Sequence, residues 1–427
     1  MRRRNLTSQI LIAVQDTPII ALNGARQAGK STLMQDLASQ GYSADYLTLD
    51  DLNLLSYVRE DPQNFVDGLR GPVVIDEVQR VPDLLIAIKR SVDRDRRPGR
   101  FLLTGSARVL QLPNLAETLA GRMEILTLWP FSEGELQGQV DGLVDHLFGE
   151  DFALPSALPI SRPINVAAMT GGFPEVIDRS PDRLAAWFRS YIQAVVEREI
   201  RDVANLTGLS DIPRLLAVLA GRLGGLLNYS DVSTSMKMPQ TTLKRYLAAL
   251  ETVFLFHPVH AWSTTRASAL AKSPKVYLND SGLAAYLLDL DVDRLAKLPH
   301  LFGPLLENYV MAELEKQITW SAKKPALYHF RTQAGHEVDF VLESRAGEVV
   351  GIEVKASGTL GAHDWKGLKK LAELAGPRFL RGIILYRGDT ILPAGPNLYA
   401  VPLQYLQTAY QRRPEAISSP AESPSSG

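Results

Sequence analysis

The chain has 427 residues, no cysteine, and 46 basic against 47 acidic side chains, a formal net charge of −1. Such a length exceeds one ordinary hydrophobic core and predicts roughly two to four domains. The lack of cysteine excludes disulfides, thiolate metal sites and a cysteine nucleophile, and the near-neutral balance excludes global basicity, so any nucleic-acid surface must be a local patch.

The start, MRRRNLTSQILIAVQDTPII, has the outline of a signal peptide, but Gln9, Gln15 and Asp16 interrupt its apolar stretch and it runs on into a strand. The expectation is a mature, cytoplasmic chain. No apolar run reaches the roughly 18 residues of a membrane span, so no membrane partner is expected.

From Pro18 the sequence reads PIIALNGARQAGKSTLMQDLAS. An apolar run from Ile19 to Leu22 leads into Gly24, Ala25, Arg26, Gln27, Ala28, Gly29, Lys30, Ser31 and Thr32, and Leu33, Met34 and Leu37 then recur at helical spacing. This is G-x-x-x-x-G-K-S/T in its strand–loop–helix setting. Gly24 and Gly29 let the backbone curl so that successive N–H groups face phosphate oxygens. The helix N-terminus adds its dipole at the same place. Lys30 is expected on the β- and γ-phosphates of ATP and the Ser31 hydroxyl on Mg²⁺.

GPVVIDEVQRVPDLL follows from Gly71. Val73, Val74 and Ile75 predict a buried strand. Asp76 and Glu77 stand at its carboxyl end, where ligands of parallel α/β sheets bind. Asp76 is expected in the Mg²⁺ shell, and Glu77 to orient or deprotonate the attacking water. A third strand, RFLLTGSA, ends in Thr104 and Ser106, which either bond the water or γ-phosphate or are small turn residues. Arg122, after Gly121 in LAETLAGRMEIL, is either an arginine finger for a neighbouring subunit's nucleotide or a surface residue. Arg26 is open in the same way.

These motifs, their order and their spacing, including the TGSA, LAGR and L-x-P run, resemble the prokaryotic AAA-type P-loop ATPases. Those proteins carry a C-terminal domain of unknown function with a restriction-endonuclease-like fold. The resemblance extends to about residue 410. It implies a P-loop ATPase domain, a winged-helix segment in the middle, and a C-terminal site of the D…E-x-K kind.

The segment Gly138 to Ile164 is rich in Gly, Pro and Ser and reads as a connector. Ser180-Pro181 opens a helix with Leu184, Trp187, Phe188, Tyr191, Ile192 and Val195 on its apolar face. The charged stretch Glu197 to Asp202 reads as a solvated face. YSDVSTSM, then KMPQTTLKRYLAALETV, then FLFHPVHAW predict a helix-turn-helix followed by a wing. Gln240, Thr241, Lys244 and Arg245 would face outward near the start of the second helix, where DNA is contacted, with Lys237 close by. Packing of domains alone is the alternative.

After about Pro274 the pattern becomes α/β again. In GPLLENYVMAELEKQI helical spacing puts Glu307 beside Val310, Met311, Leu314 and Ile318, and an acid on an apolar face needs a partner or a task. In the hairpin, Val338, Phe340 and Leu342 are expected to alternate with Glu337, Asp339 and Val341, while Glu353 and Lys355 share the other face from Ile352 and Val354. Glu307, Asp339, Glu353 and Lys355 would then converge. Such a set suits metal-assisted phosphodiester cleavage, with Asp339 and Glu353 holding Mg²⁺ and Lys355 offsetting phosphate charge; a nuclease-like fold that no longer cleaves is the alternative. Lys366, Lys369 and Lys370 lie on an amphipathic helix suited to a phosphate backbone or simply to solvent.

The reading is an α/β protein of three modules. Residues 1–135 form an AAA-type P-loop ATPase domain, 136–165 a connector, 166–270 a helical and winged-helix domain, 271–411 a restriction-endonuclease-like α/β domain, and 412–427 a disordered tail. The expected ligands are ATP and Mg²⁺. The expected partners are DNA and, through Arg122, further copies of the chain. A switch that binds DNA or protein without cleaving, and an ATPase acting on proteins, are the other readings.

Overall fold

The computed structural model describes residues 2–105, 119–150, 152, 162–201, 209–265, 269 and 272–407. Ser106 and the expected tail lie outside them. No helix among the described residues is long and apolar enough to cross a membrane.

The N-terminal sheet has five strands: β1 (Ile19–Asn23), β2 (Asp45–Thr48), β3 (Val73–Asp76), β4 (Phe101–Thr104) and β5 (Met123–Thr127). They are all parallel, in the order β2-β3-β4-β1-β5. The central strands read as unbroken apolar runs because helices cover both faces. On one face Ile19, Val73, Ile75, Phe101 and Leu103 meet Leu84, Leu85, Ile88 and Val92 of the helix Asp83–Arg94. On the other, Ile20, Leu22, Val74 and Leu102 meet Leu33, Met34 and Leu37. The N-terminal stretch, read only as a lead into β1, forms a helix at Thr7–Ala13 whose Ile10 and Ala13 complete that second layer.

The middle of the chain is helical. Pro181–Ala194 continues directly into a π-helical turn at Val195–Ile200. Tyr229–Met236 and Gln240–Thr252 follow, joined by Lys237 in a left-handed conformation, φ 55°. Leu243, Tyr246, Leu247 and Leu250 are buried, while Lys237, Gln240, Thr241, Lys244 and Arg245 are exposed. Then β6 (His257–Val259) pairs antiparallel with β7 (Lys275–Tyr277).

The C-terminal sheet comprises β8 (Ala326–Arg331), β9 (Glu337–Glu343), β10 (Val349–Lys355), β11 (Phe379–Tyr386), β12 (Leu392–Gly395) and β13 (Leu398–Pro402). Its order is β12-β13-β11-β10-β9-β8, with parallel pairing only for β10/β11 and β11/β13. The helix Phe302–Trp320 shares a core with Phe340, Leu342, Val350 and Ile352. The helix Lys366–Ala375 covers the other face with Leu368 and Leu371. Gly351 makes that close approach feasible, since a Cβ there would stand 2.7 Å from Leu368.

One expected pattern fails here. β9 does not alternate simply, for Val338 joins Val341 on the side of the helix Lys366–Ala375, and Phe340 and Leu342 turn to the other. The cause is a bulge. Tyr328 pairs with Val341 but Phe330 with Val338, so β9 spends one residue more than β8 over this stretch. A bulge bends the strand and re-aims its side chains, and Asp339 sits within it.

Candidate functional site

β1 delivers the chain into the loop at Gly24, whose φ is 152° and whose missing Cβ would stand 2.3 Å from the Leu128 carbonyl. No other residue fits that position. Gln27 at φ 60° and Gly29 at φ 99° close the curl, and the helix starts at Lys30. The Lys30 side chain is buried and folds back over its own loop, donating to the carbonyls of Gly24 at 2.8 Å and Ala25 at 2.9 Å. Burial pulls its pKa below the usual lysine range, while the charges of Glu77, Glu199 and Asp76 push it up.

The strand order explains how the acids arrive. β4 lies between β1 and β3, so Thr104, at its end, stands between the loop and the acids. The Thr104 hydroxyl donates to Asp76 Oδ1 and accepts from the Glu77 N–H at 3.3 Å. Glu77 is left-handed, φ 60°, which turns its side chain out of line with β3. The phenol of Tyr46 donates to Asp76 Oδ2 and has the Ser31 side chain as a neighbour, so Ser31 and Asp76 flank one phenol. A hydroxyl and a carboxylate brought that close are a donor pair suited to Mg²⁺. Ser31 and Asp76 therefore fit the expected ion.

Two further interactions were not legible. Arg4 is buried, donates to the Ala28 carbonyl at 2.9 Å, pairs with Glu135 at 3.2 Å and lies 4.2 Å over the Phe131 ring. It props the loop from outside. The second corrects the reading of Glu197 to Asp202 as a solvated face at one charged residue, since Glu197, Arg198 and Arg201 are exposed but Glu199 is not. Glu199 is 6% exposed and its Oε1 lies 3.3 Å from Arg26 Nη1. The π-helical turn sets it there, and such turns recur at functional positions. Burial raises the Glu199 carboxyl to about 7, with Lys30 and Arg26 pulling it down. Asp202 lies outside the described residues.

Arg122 precedes β5, at the edge of the sheet opposite the loop, and its main-chain carbonyl accepts from Ile19 N–H. Its guanidinium pairs with Asp93 and donates to the Ala120 carbonyl at 3.1 Å. The length of β1 separates it from this chain's own loop.

At the C-terminal cluster the sequence pointed to Glu307, Asp339, Glu353 and Lys355. The structure adds Lys275, from β7, at the centre. Its Nζ lies 2.9 Å from each of Glu307 Oε1, Glu337 Oε1 and Asp339 Oδ1, and its side chain is 1% exposed. Burial works to lower the Lys275 pKa, but the charges of Asp339, Glu307 and Glu337 outweigh it and hold the ammonium above the usual lysine range. Tyr277 donates to Glu307, and the Val354 N–H donates to Asp339 Oδ2 at 2.9 Å. Lys355 lies apart from this knot and bonds Glu353 Oε1 at 2.8 Å. Burial and the charge of Asp339 raise Glu353, and its Oε2 is buried with no hydrogen-bond partner. Among the described residues no group of three or more His, Asp or Glu is arranged to hold a metal ion. A signal for Lys275 existed in PKVYL, because a lysine inside an apolar strand requires partners.

Comparison with known proteins supports an ATPase-type domain in the N-terminal part of the chain. Residues 16–137 match an AAA domain, 163–294 the domain of unknown function DUF8612, and 302–406 the domain of unknown function DUF4143. An uncharacterized protein of Mycobacterium tuberculosis is 31% identical over 412 residues, 96% of this chain and 85% of that protein. An uncharacterized protein of Haemophilus influenzae is 26% identical over 73% of this chain and 78% of that one. Among solved structures, the Walker-type ATPase of Pyrococcus abyssi aligns with 67% of this chain and 96% of that chain, at 13% identity and a TM-score of 0.42.

Proposed function

The chain belongs to the family of AAA-domain proteins that the mycobacterial relative represents, and from that premise we propose that it is an ATP-hydrolysing switch that engages DNA. The N-terminal domain is a P-loop ATPase domain. The observation that carries the catalytic assignment is Thr104, which ties Asp76 and the Glu77 backbone together beside the loop that holds Lys30.

Lys30 leaves two neutral carbonyls for the β- and γ-phosphates, where it meets charge instead of dipoles. The N–H groups from Ala25 to Ser31 cradle the same oxygens. Ser31 and Asp76 would hold Mg²⁺, which neutralises phosphate charge when bound. Glu77 takes a proton from water as the water oxygen bonds to the γ-phosphorus and the bond to the bridging oxygen breaks, releasing ADP. Thr104 positions both acids. Arg26 changes partner, from the Glu199 carboxylate to phosphate, and so reports the nucleotide to the helical middle. Arg122, turned away from its own loop, acts only on a neighbouring copy in an assembly.

The middle carries the DNA reading, with Gln240, Thr241, Lys244 and Arg245 exposed at the start of one helix beside Lys237. Of the two readings of the C-terminal domain, binding without cleavage is favoured, because Lys275 already engages the acids. The proposed modules are residues 1–135, 166–270 and 271–411, with a connector at 136–165. ATP turnover with Mg²⁺, measured with and without single-stranded, duplex and branched DNA, tests the proposal. Turnover lost in Lys30→Ala and raised by DNA in the wild type is expected. Turnover indifferent to every DNA would remove DNA as the partner and point to proteins.

A further inference from the structure

The C-terminal cluster has the acids of a metal centre but not its vacancy. A lysine ammonium has three N–H donors and no acceptor. The Lys275 ammonium donates to Glu307 and Asp339 and forms an ion pair with Glu337, each at 2.9 Å, from the helix Phe302–Trp320 and from two positions of the bulged β9. Three carboxylates surround the cation, and two of them accept further hydrogen bonds. Glu307 Oε1 also accepts from Tyr277, and Asp339 gives its second oxygen to the Val354 N–H. Glu353 Oε2 is buried without a partner, and the bonds to Glu307 all fall on its Oε1. Mg²⁺ takes six oxygens at short range and dehydrates reluctantly, and an ammonium 2.9 Å from three of these carboxylates already fills the space among them.

Lys275 is also not free to swing away. Its backbone is in register with Val259 of β6 on one side and forms a bridge with Leu226 on the other. The loop before that bridge presses on the cluster. Gly224, at φ 71°, lies so near Glu307 that a Cβ would come within 2.7 Å of the carboxylate. The Gly224 N–H is bonded to the Val276 carbonyl at 2.9 Å. The cluster is thus roofed by the helical middle, and the lysine that fills it comes from β7, just past residue 270, whose backbone partners Val259 and Leu226 belong to that roof.

We propose that Lys275 is a tethered cation standing at the position a catalytic metal would need, and that the cluster is a clamp between the helical middle and the C-terminal sheet instead of a nuclease centre. The inference deepens the non-cleaving reading of the C-terminal domain and does not involve the nucleotide site. Asp339 in the bulge is the pivot of the clamp, since it bonds the lysine of the β6–β7 pair and the β10 backbone of its own sheet.

Nucleotide-free full-length protein is titrated with Mn²⁺, followed by electron paramagnetic resonance, for the wild type, Asp339→Asn, Lys275→Met and the Lys275→Met/Asp339→Asn pair. The same proteins are incubated with Mn²⁺ and supercoiled DNA, and ATP turnover is read separately so that failure at one site is not mistaken for failure at the other. The wild type and Asp339→Asn are expected to take up Mn²⁺ alike and to leave DNA intact. Lys275→Met should gain one equivalent, bound about tenfold or more tighter than anything in the wild type, and lose it in the double variant. Mn²⁺ uptake or nicking by the wild type that Asp339→Asn abolishes would overturn the proposal. A folded Lys275→Met without a new site would do so too. If that variant does not fold, the comparison of wild type with Asp339→Asn still decides.

Discussion

Two buried lysines divide the molecule. Lys30 is held by two neutral carbonyls of its own loop, and Lys275 by three carboxylates drawn from two elements. The first gains when it moves to an incoming anion, because a bond from an ammonium to a charged oxygen is stronger than one to a neutral carbonyl. The second cannot leave without exposing buried like charges to one another. A poised lysine and a locked one carry the same charge and similar burial, and what separates them is the charge of their partners.

The strongest way to break the contrast is at the locked residue. Lys275→Met should lower thermal stability sharply, since removing one partner of a buried ionic group costs roughly 3–5 kcal/mol. Adding Glu307→Gln and Asp339→Asn should restore part of the loss, which thermal melts of the three proteins would reveal. If Lys275→Met melts like the wild type, the lysine is not locked.

At the poised residue the effect should fall on chemistry. Lys30→Ala should abolish turnover while shifting the melting temperature little. Glu77→Gln should keep ATP bound but slow hydrolysis about 10²–10⁴-fold, the usual contribution of a general base. Equilibrium binding of a fluorescent ATP analogue beside phosphate release separates the two.

A subtler test concerns the acid that faces Lys30 and Arg26. Glu199 titrates near 7 in the folded chain, facing those two cations, Glu77 and the Tyr191 phenol. As pH falls through that value the carboxyl becomes neutral and no longer competes with phosphate. Wild-type ATP affinity should therefore rise a few-fold from pH 8 to pH 6. Glu199→Gln should be tighter than the wild type at pH 8, match it near pH 6, and be flatter across that range. An unchanged slope would remove Glu199 from the switch. The smallest effect is expected at Lys244 and Arg245. Replacing either by Ala should weaken DNA stimulation modestly and reduce the salt slope by about one for each phosphate that is no longer neutralised.

How much could be read in advance follows from the reach of each residue's interactions. Gly24, Lys30, Asp76 and Glu77 meet through local backbone geometry at the carboxyl edge of one parallel sheet, so spacing points to them, whereas spacing leaves Thr104 open between a site and a turn, and only its bonds to Asp76 and Glu77 decide. Arg4, Glu199 and Lys275 act across long stretches of chain or between modules, and no local period encodes such a pairing. The error in β9 had a different origin. Period-two alternation assumes an unbroken ladder, and a single extra residue between Val338 and Val341 reverses the faces on either side of it.

The buried Arg4 has a practical corollary. It supports the Ala28 carbonyl from a position well ahead of the nucleotide-binding motif. A shortened version lacking the first few residues would retain every letter by which that motif is identified, yet its loop would have lost a strut. Motif scans would score it as intact while the folded protein released nucleotide more readily.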